Sequence, residues 1–160
     1  MKTRIRSILV GLALAAAPAL SALAQTTVQN AWIRGTVPQQ TATGMFCRIT
    51  STAGGKLVSA SSPVAGMVEI HEMKMVDNMM RMRPIAGIDL PAGKAVDLDP
   101  SGYHVMLMEL KQQLKPGDMV PVTLVVEGKD GKRESLEVKA QVKPLATTGH
   151  DAMSHDAMKR

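Results

Sequence analysis

Apolar and polar residues alternate with a period of two along most of the chain, and glycine, proline, aspartate and serine interrupt the alternation at short intervals. Runs of this kind predict strands over 28–34, 44–50, 57–61, 66–73, 79–83, 95–98, 103–109, 120–127 and 134–142. The breaks between them are explicit: Gly54-Gly55, Pro91-Ala92-Gly93, Pro100-Ser101-Gly102, Pro116-Gly117-Asp118 and Asp130-Gly131. No window keeps an apolar stripe at helical spacing without a breaker, which excludes a helical bundle. Nine short strands spread over about 115 residues predict an all-β fold, a single-domain antiparallel β-sandwich.

The two ends read differently. Lys2, Arg4 and Arg6 precede an apolar run over 8–20, and Ala22-Leu23-Ala24 forms a small-x-small cleavage site. Residues 1–24 are therefore expected to be a secretory signal peptide, and no later apolar run is long enough to span a membrane. The folded domain is expected over 25–145. Residues 146–160 contain no core-forming run and repeat His-Asp-Ala-Met twice, which predicts a flexible tail.

Charge changes meaning once the leader is set aside. The full chain carries 19 Lys+Arg against 14 Asp+Glu, but residues 25–160 hold 16 against 14. With only Trp32, Phe46 and Tyr103 as aromatics, the chain has neither the basic surplus nor the stacking platform of a nucleic-acid binder. The compositional anomaly is 13 methionines. Met45, Met67 and Met119 are read as core packing, whereas Met75, Met79, Met80 and Met108 are left open between packing and chemistry. Lys74, Arg81 and Arg83 are read as solvated strand residues, with docking of an acidic partner as the alternative.

Every histidine has a methionine close behind it: Met73 after His71, Met106 after His104, Met153 after His150 and Met158 after His155. In a strand, positions i and i+2 share a face, so His104 and Met106 present an imidazole and a thioether side by side. Glu69, His71 and Met73 share a face in the same way, as do Met80 and Met82. Neutral imidazole and thioether donors suit copper, and soft sulfur selects Cu(I). Zinc sites recruit Cys, His and carboxylate, and calcium and magnesium need oxygen.

His71, ten residues, Met82, twenty-one residues, then His104-x-Met106 resembles the ligand signature of the periplasmic PCuAC-type copper chaperones. Ala31-Trp32-Ile33-Arg34, Leu90-Pro91-Ala92-Gly93 and Gly102-Tyr103-His104-Val105-Met106 resemble segments of the same family. The resemblance covers residues 27–143. It implies a cupredoxin-like Greek-key sandwich, monomeric and non-enzymatic, that binds one Cu(I) through His71, Met82, His104 and Met106, with Met73 as an auxiliary. It further implies delivery of copper to cytochrome c oxidase, at the copper site of subunit II, or to another copper-transfer protein in the periplasm. General copper storage or resistance is the alternative role. The tail residues His150, Met153, His155 and Met158 are expected to form a second site that also accepts Cu(II), because nitrogen and carboxylate donors are harder.

Cys47 stands outside this pattern. A blue-copper centre would need it as a thiolate beside two histidines, yet no histidine follows it within a short loop. It is read as a buried structural thiol, and as the only cysteine it can form no disulfide within the chain. A copper enzyme would want several histidines per metal, and the predicted domain has two. A metal-free structural sandwich leaves the His/Met spacing unexplained.

Overall fold

The computed structural model describes residues 25–145; the expected signal peptide at 1–24 and the tail at 146–160 lie outside the described residues. Ten strands account for the fold: β1 (Thr26–Arg34), β2 (Ala42–Ser51), β3 (Gly55–Ser61), β4 (Ala65–Val76), β5 (Met79–Pro84), β6 (Ile88–Leu90), β7 (Ala95–Leu98), β8 (Tyr103–Leu110), β9 (Met119–Glu127) and β10 (Arg133–Lys143). The expected all-β architecture is present, and nine strands match the alternating runs. The addition is β6, whose three residues are too few to show a period. It is held by pairing with β3 and by burial of Ile88 and Leu90.

Hydrogen bonding links the strands in the order β5-β4-β8-β7-β2-β1-β10-β9-β3-β6. The sheet folds over on itself, so every strand except β5 turns buried or partly buried apolar residues toward one core. Most pairings are antiparallel. The exceptions are β1 beside β10, where Trp32, Ile33 and Arg34 run parallel to Gln141, Val142 and Lys143, and a single parallel bridge from β7 to β8. Alternation does its expected work in β9, where Val120, Val122, Leu124 and Val126 are buried and the residues between them are more open.

The methionines divide by phase. Met45 is fully buried, as expected of a packing residue. Met67 and Met119 are not core residues: they are 45% and 56% exposed. Each occupies the outward phase of its strand, beside inward Val68 in β4 and Val120 in β9, so no second layer covers it. Cys47 is buried, and burial together with the nearby Asp97 charge pushes its thiol up to about 12. It is a buried thiol that burial holds in its protonated form.

The connection between β4 and β5 fixes the geometry that follows. Val76 pairs with Met79 across a two-residue turn, and Asp77 and Asn78 both adopt positive φ (50° and 61°). These are the residue types that tolerate the left-handed region, and a turn of this kind matches the natural twist of a hairpin. The β4–β5 register is thereby set over its full length without a bulge.

Candidate metal centre

Strands β5, β4 and β8 lie side by side, and their registers align the chemistry. His71 of β4 stands directly opposite His104 of β8, and Glu69 stands opposite Met106. On the other side of β4, Met73 stands opposite Met82 of β5. Because i and i+2 share a face, Glu69, His71 and Met73 project with His104, Met106 and Met82 from one surface of this three-strand segment. Residues far apart in sequence are thus gathered by strand pairing alone.

Side-chain contacts sharpen the grouping. Nε2 of His104 lies 3.1 Å from Sδ of Met82, and the two imidazole rings are 5.7 Å apart, edge to face. Both histidines are buried, at 6% and 5% exposure, whereas Met82 is half exposed. Met73, Met82, His104 and Met106 line one cavity of about 220 Å³ together with Arg34, Phe46 and Gly44. His71 does not line that cavity; it sits behind His104 in the same row. The four residues spaced by the sequence motif, and the auxiliary Met73, are therefore neighbours. His150, Met153, His155 and Met158 lie outside the described residues.

The donor chemistry fits a soft univalent cation. Among the described residues no three His, Cys, Asp or Glu side chains are grouped so that they could hold a metal ion by themselves. What the strand pairing gathers on one surface is two imidazoles and three thioethers, donor types that favour Cu(I) over harder ions. The Glu69 carboxylate accepts a hydrogen bond from Nε2 of His71 at 2.8 Å, leaving Nδ1 buried with no hydrogen-bond partner. In a neutral ring that places the lone pair on Nδ1. A carboxylate on the far nitrogen is the usual device for fixing a metal-binding histidine's tautomer and orientation.

His104 is held differently. Its Nδ1 faces the carbonyl of Gly102 at 3.4 Å, and the same carbonyl accepts the backbone N–H of Met73 at 3.0 Å, tying β8 to β4 beside the site. Phe46 packs near the His104 ring, with centroids 6.2 Å apart, and is itself backed by Trp32 at 4.5 Å and by the Arg34 guanidinium at 5.7 Å. Gly44 makes room for that ring, since a Cβ there would stand 2.8 Å from the edge of Phe46. Trp32 thus acts on the site through Phe46, whereas Arg34 also lines the cavity itself.

Glu69 and Phe46 were given no role by sequence reasoning. Glu69 carried a signal, since it shares the face of His71 two residues away. Phe46 carried none, because only the pairing of β2 with β8 brings it to His104. Removal of the carboxylate in Glu69→Ala is expected to weaken Cu(I) binding by about 10- to 100-fold with the fold intact, the usual range for a ligand's supporting group. Competition against a chromophoric Cu(I) chelator measures the affinity, and a thermal melt checks the fold.

Burial, reinforced by the neighbouring His71 and Arg34, lowers the pKa of His104 below its ordinary value, against the opposing pull of the Gly102 carbonyl and Asp99. The folded chain therefore takes up this proton less readily than the unfolded chain. The stability contribution is complete above the ordinary value near about pH 6.5 and is lost as pH falls through the lower folded value. Melting the metal-free chain from about pH 8 down to about pH 5 should show Tm dropping in the acidic half, a drop that His104→Gln reduces.

A family model described as LpqE-like matches residues 26–142. Over 131 residues the chain is 32% identical to "Putative lipoprotein Lxx21020" of Leifsonia xyli subsp. xyli (strain CTCB07), covering 76% of this chain and 78% of that protein. The solution structure of CuI-DR1885 from Deinococcus radiodurans is 31% identical, covers 78% of this chain and 81% of its own, and superposes with a TM-score of 0.57. Its apo form covers 90% and 95% at 29% identity, with a TM-score of 0.56. The copper-bound PCuAC domain from PmoF2 shares the fold, with a TM-score of 0.61 at 22% identity over 77% of this chain and 96% of its own.

Proposed function

The chain belongs to the LpqE-like family, whose solved structural relatives include PCuAC domains, and from that premise we propose that it is an exported, non-enzymatic copper chaperone. His71, Met82, His104 and Met106 hold one Cu(I), with Met73 in reserve. The observation that carries this reading is the meeting of His104 Nε2 with Met82 Sδ at 3.1 Å, in a row where His71 directly faces His104. Copper bound to DR1885 and to the PmoF2 domain supports the same cargo here.

Delivery follows from the donor set. Thioethers are neutral and individually weak, so incoming ligands displace them one at a time, and half-exposed Met82 is the first within reach of a partner. Buried His71 and His104 leave last. The recipient we propose is the copper site of cytochrome c oxidase subunit II. Mixing the Cu(I)-loaded chain with an apo subunit II domain tests this: metal should move to the recipient, and retention by the donor favours storage or resistance instead. The tail residues His150, Met153, His155 and Met158 form the proposed second site for Cu(II). Deletion of 147–160 should remove one Cu(II) equivalent, and an unchanged stoichiometry overturns that site.

A further inference from the structure

The methionines of the β4–β5 hairpin do not end at Met73 and Met82. One step further from the histidines, Met75 stands directly opposite Met80. The register has no bulge, so Met75 continues the face of His71 and Met73, and Met80 continues the face of Met82. Two cross-strand methionine pairs thus form a ladder leading outward from the histidine row to the Asp77-Asn78 turn. Adjacent rungs lie about 6.6 Å apart, and paired side chains start only about 5 Å apart at Cβ.

Packing does not account for the outer rung. Met75 and Met80 are 57% and 48% exposed, among the most exposed large apolar side chains of the described residues. The opposite face of the hairpin is ionic along its inner part, with Glu72, Lys74, Arg81 and Arg83, and Arg83 Nε donates to Glu72 at 2.6 Å; it ends at the turn in the apolar Val76–Met79 pair. Alongside the two methionine rungs, one face of this exposed hairpin is thus thioether and the other is mainly charged. A hairpin that merely needed solvation would carry polar residues on both.

Building on the copper-chaperone reading, we propose that Met75 and Met80 form an outer Cu(I) site from which the ion passes to Met73 and Met82 and then to the histidines. Each transfer breaks one copper–sulfur bond as a bond to the next thioether, or at the last step to an imidazole nitrogen, forms. The thioethers stay neutral throughout, so the ion keeps its single charge and no proton or electron moves. The outer pair serves as a landing stage in solvent, holding the ion next to the buried site at high effective concentration.

The test uses the full chain with ¹³C-labelled methionine methyls, titrated anaerobically with Cu(I). The first equivalent should shift Met82 and Met106, and the second should shift Met75 and Met80 together. In the Met75→Leu/Met80→Leu variant the first equivalent should bind with unchanged affinity. Loading of the inner site from a chelator complex should slow by about tenfold when the local reservoir is gone. The outer site is overturned if Met75 and Met80 stay unmoved through two equivalents, if the second equivalent shifts only Met153 and Met158, or if the double variant loads at the wild-type rate. Failure of Met82 and Met106 to respond to the first equivalent overturns the chaperone reading instead, while the Met75 and Met80 signals still decide the outer site.

Discussion

Replacing His104 with Ala should weaken Cu(I) binding by more than about 100-fold, exceeding the 10- to 100-fold range typical of supporting groups. Three features of the structure concentrate the effect on this residue. Its Nε2 is the nitrogen that meets Met82 Sδ, its ring faces His71, and it lines the cavity shared with Met73 and Met106. Without it, the remaining donors are thioethers that bind weakly one by one and a single imidazole set behind the cavity. The depressed proton affinity of His104 works in the same direction, because a neutral ring near neutral pH offers its lone pair without proton competition. Competition titration against a chromophoric chelator measures the loss. A thermal melt should show the variant folded, since the ring contributes little to the apolar core on the other side of β8.

Leu107→Ala should have the opposite profile. Leu107 is fully buried and lies on the inward phase of β8, between outward Met106 and Met108. Truncation removes apolar contacts and leaves a cavity in a packed interior, at a cost of about 2 to 5 kcal/mol. At temperatures where the variant remains folded, the first Cu(I) equivalent should bind nearly as tightly as in the parent. Urea denaturation read beside the copper titration separates these outcomes. A large loss of affinity in the folded variant would mean that the two faces of β8 are coupled more tightly than the strand alternation implies. Together the two substitutions divide one strand into a metal face and a core face.

That division is legible in the sequence. The i+2 spacing of His104 and Met106 against Val105 and Leu107 is a local property of a strand, and local periodicity survives folding. The same holds for β9, whose alternation predicts its burial residue by residue. The Asp77-Asn78 turn is not among the breaks read from the sequence, although both residue types tolerate the positive φ it uses. Legibility ends where strands must find partners. Nothing local to Met82 or His104 places them 3.1 Å apart across twenty-one intervening residues; that contact depends on β4 pairing with both β5 and β8.

The departures have the same origin. Parallel pairing of β1 with β10 joins segments more than a hundred residues apart, so no hairpin signal announces it. Three-residue β6 exists because β3 offers it a partner and the core offers Ile88 and Leu90 a place. Methionine as apolar filler predicts packing for Met67 and Met119, but their phase leaves them on an uncovered surface. The Glu69–His71 contact was half visible: the shared face could be read, whereas the close approach needed the folded β4. Family resemblance supplied the grouping of His71, Met82, His104 and Met106 that periodicity could not supply alone.

X-ray absorption at the copper edge of the full chain, loaded with one equivalent of Cu(I) and freed of excess metal, addresses the central claim most directly. The account predicts that one ion is retained and that its first coordination shell contains both nitrogen and sulfur, with the sulfur contribution falling in Met82→Leu. A shell of nitrogen and oxygen alone, or failure to retain the ion, would contradict it.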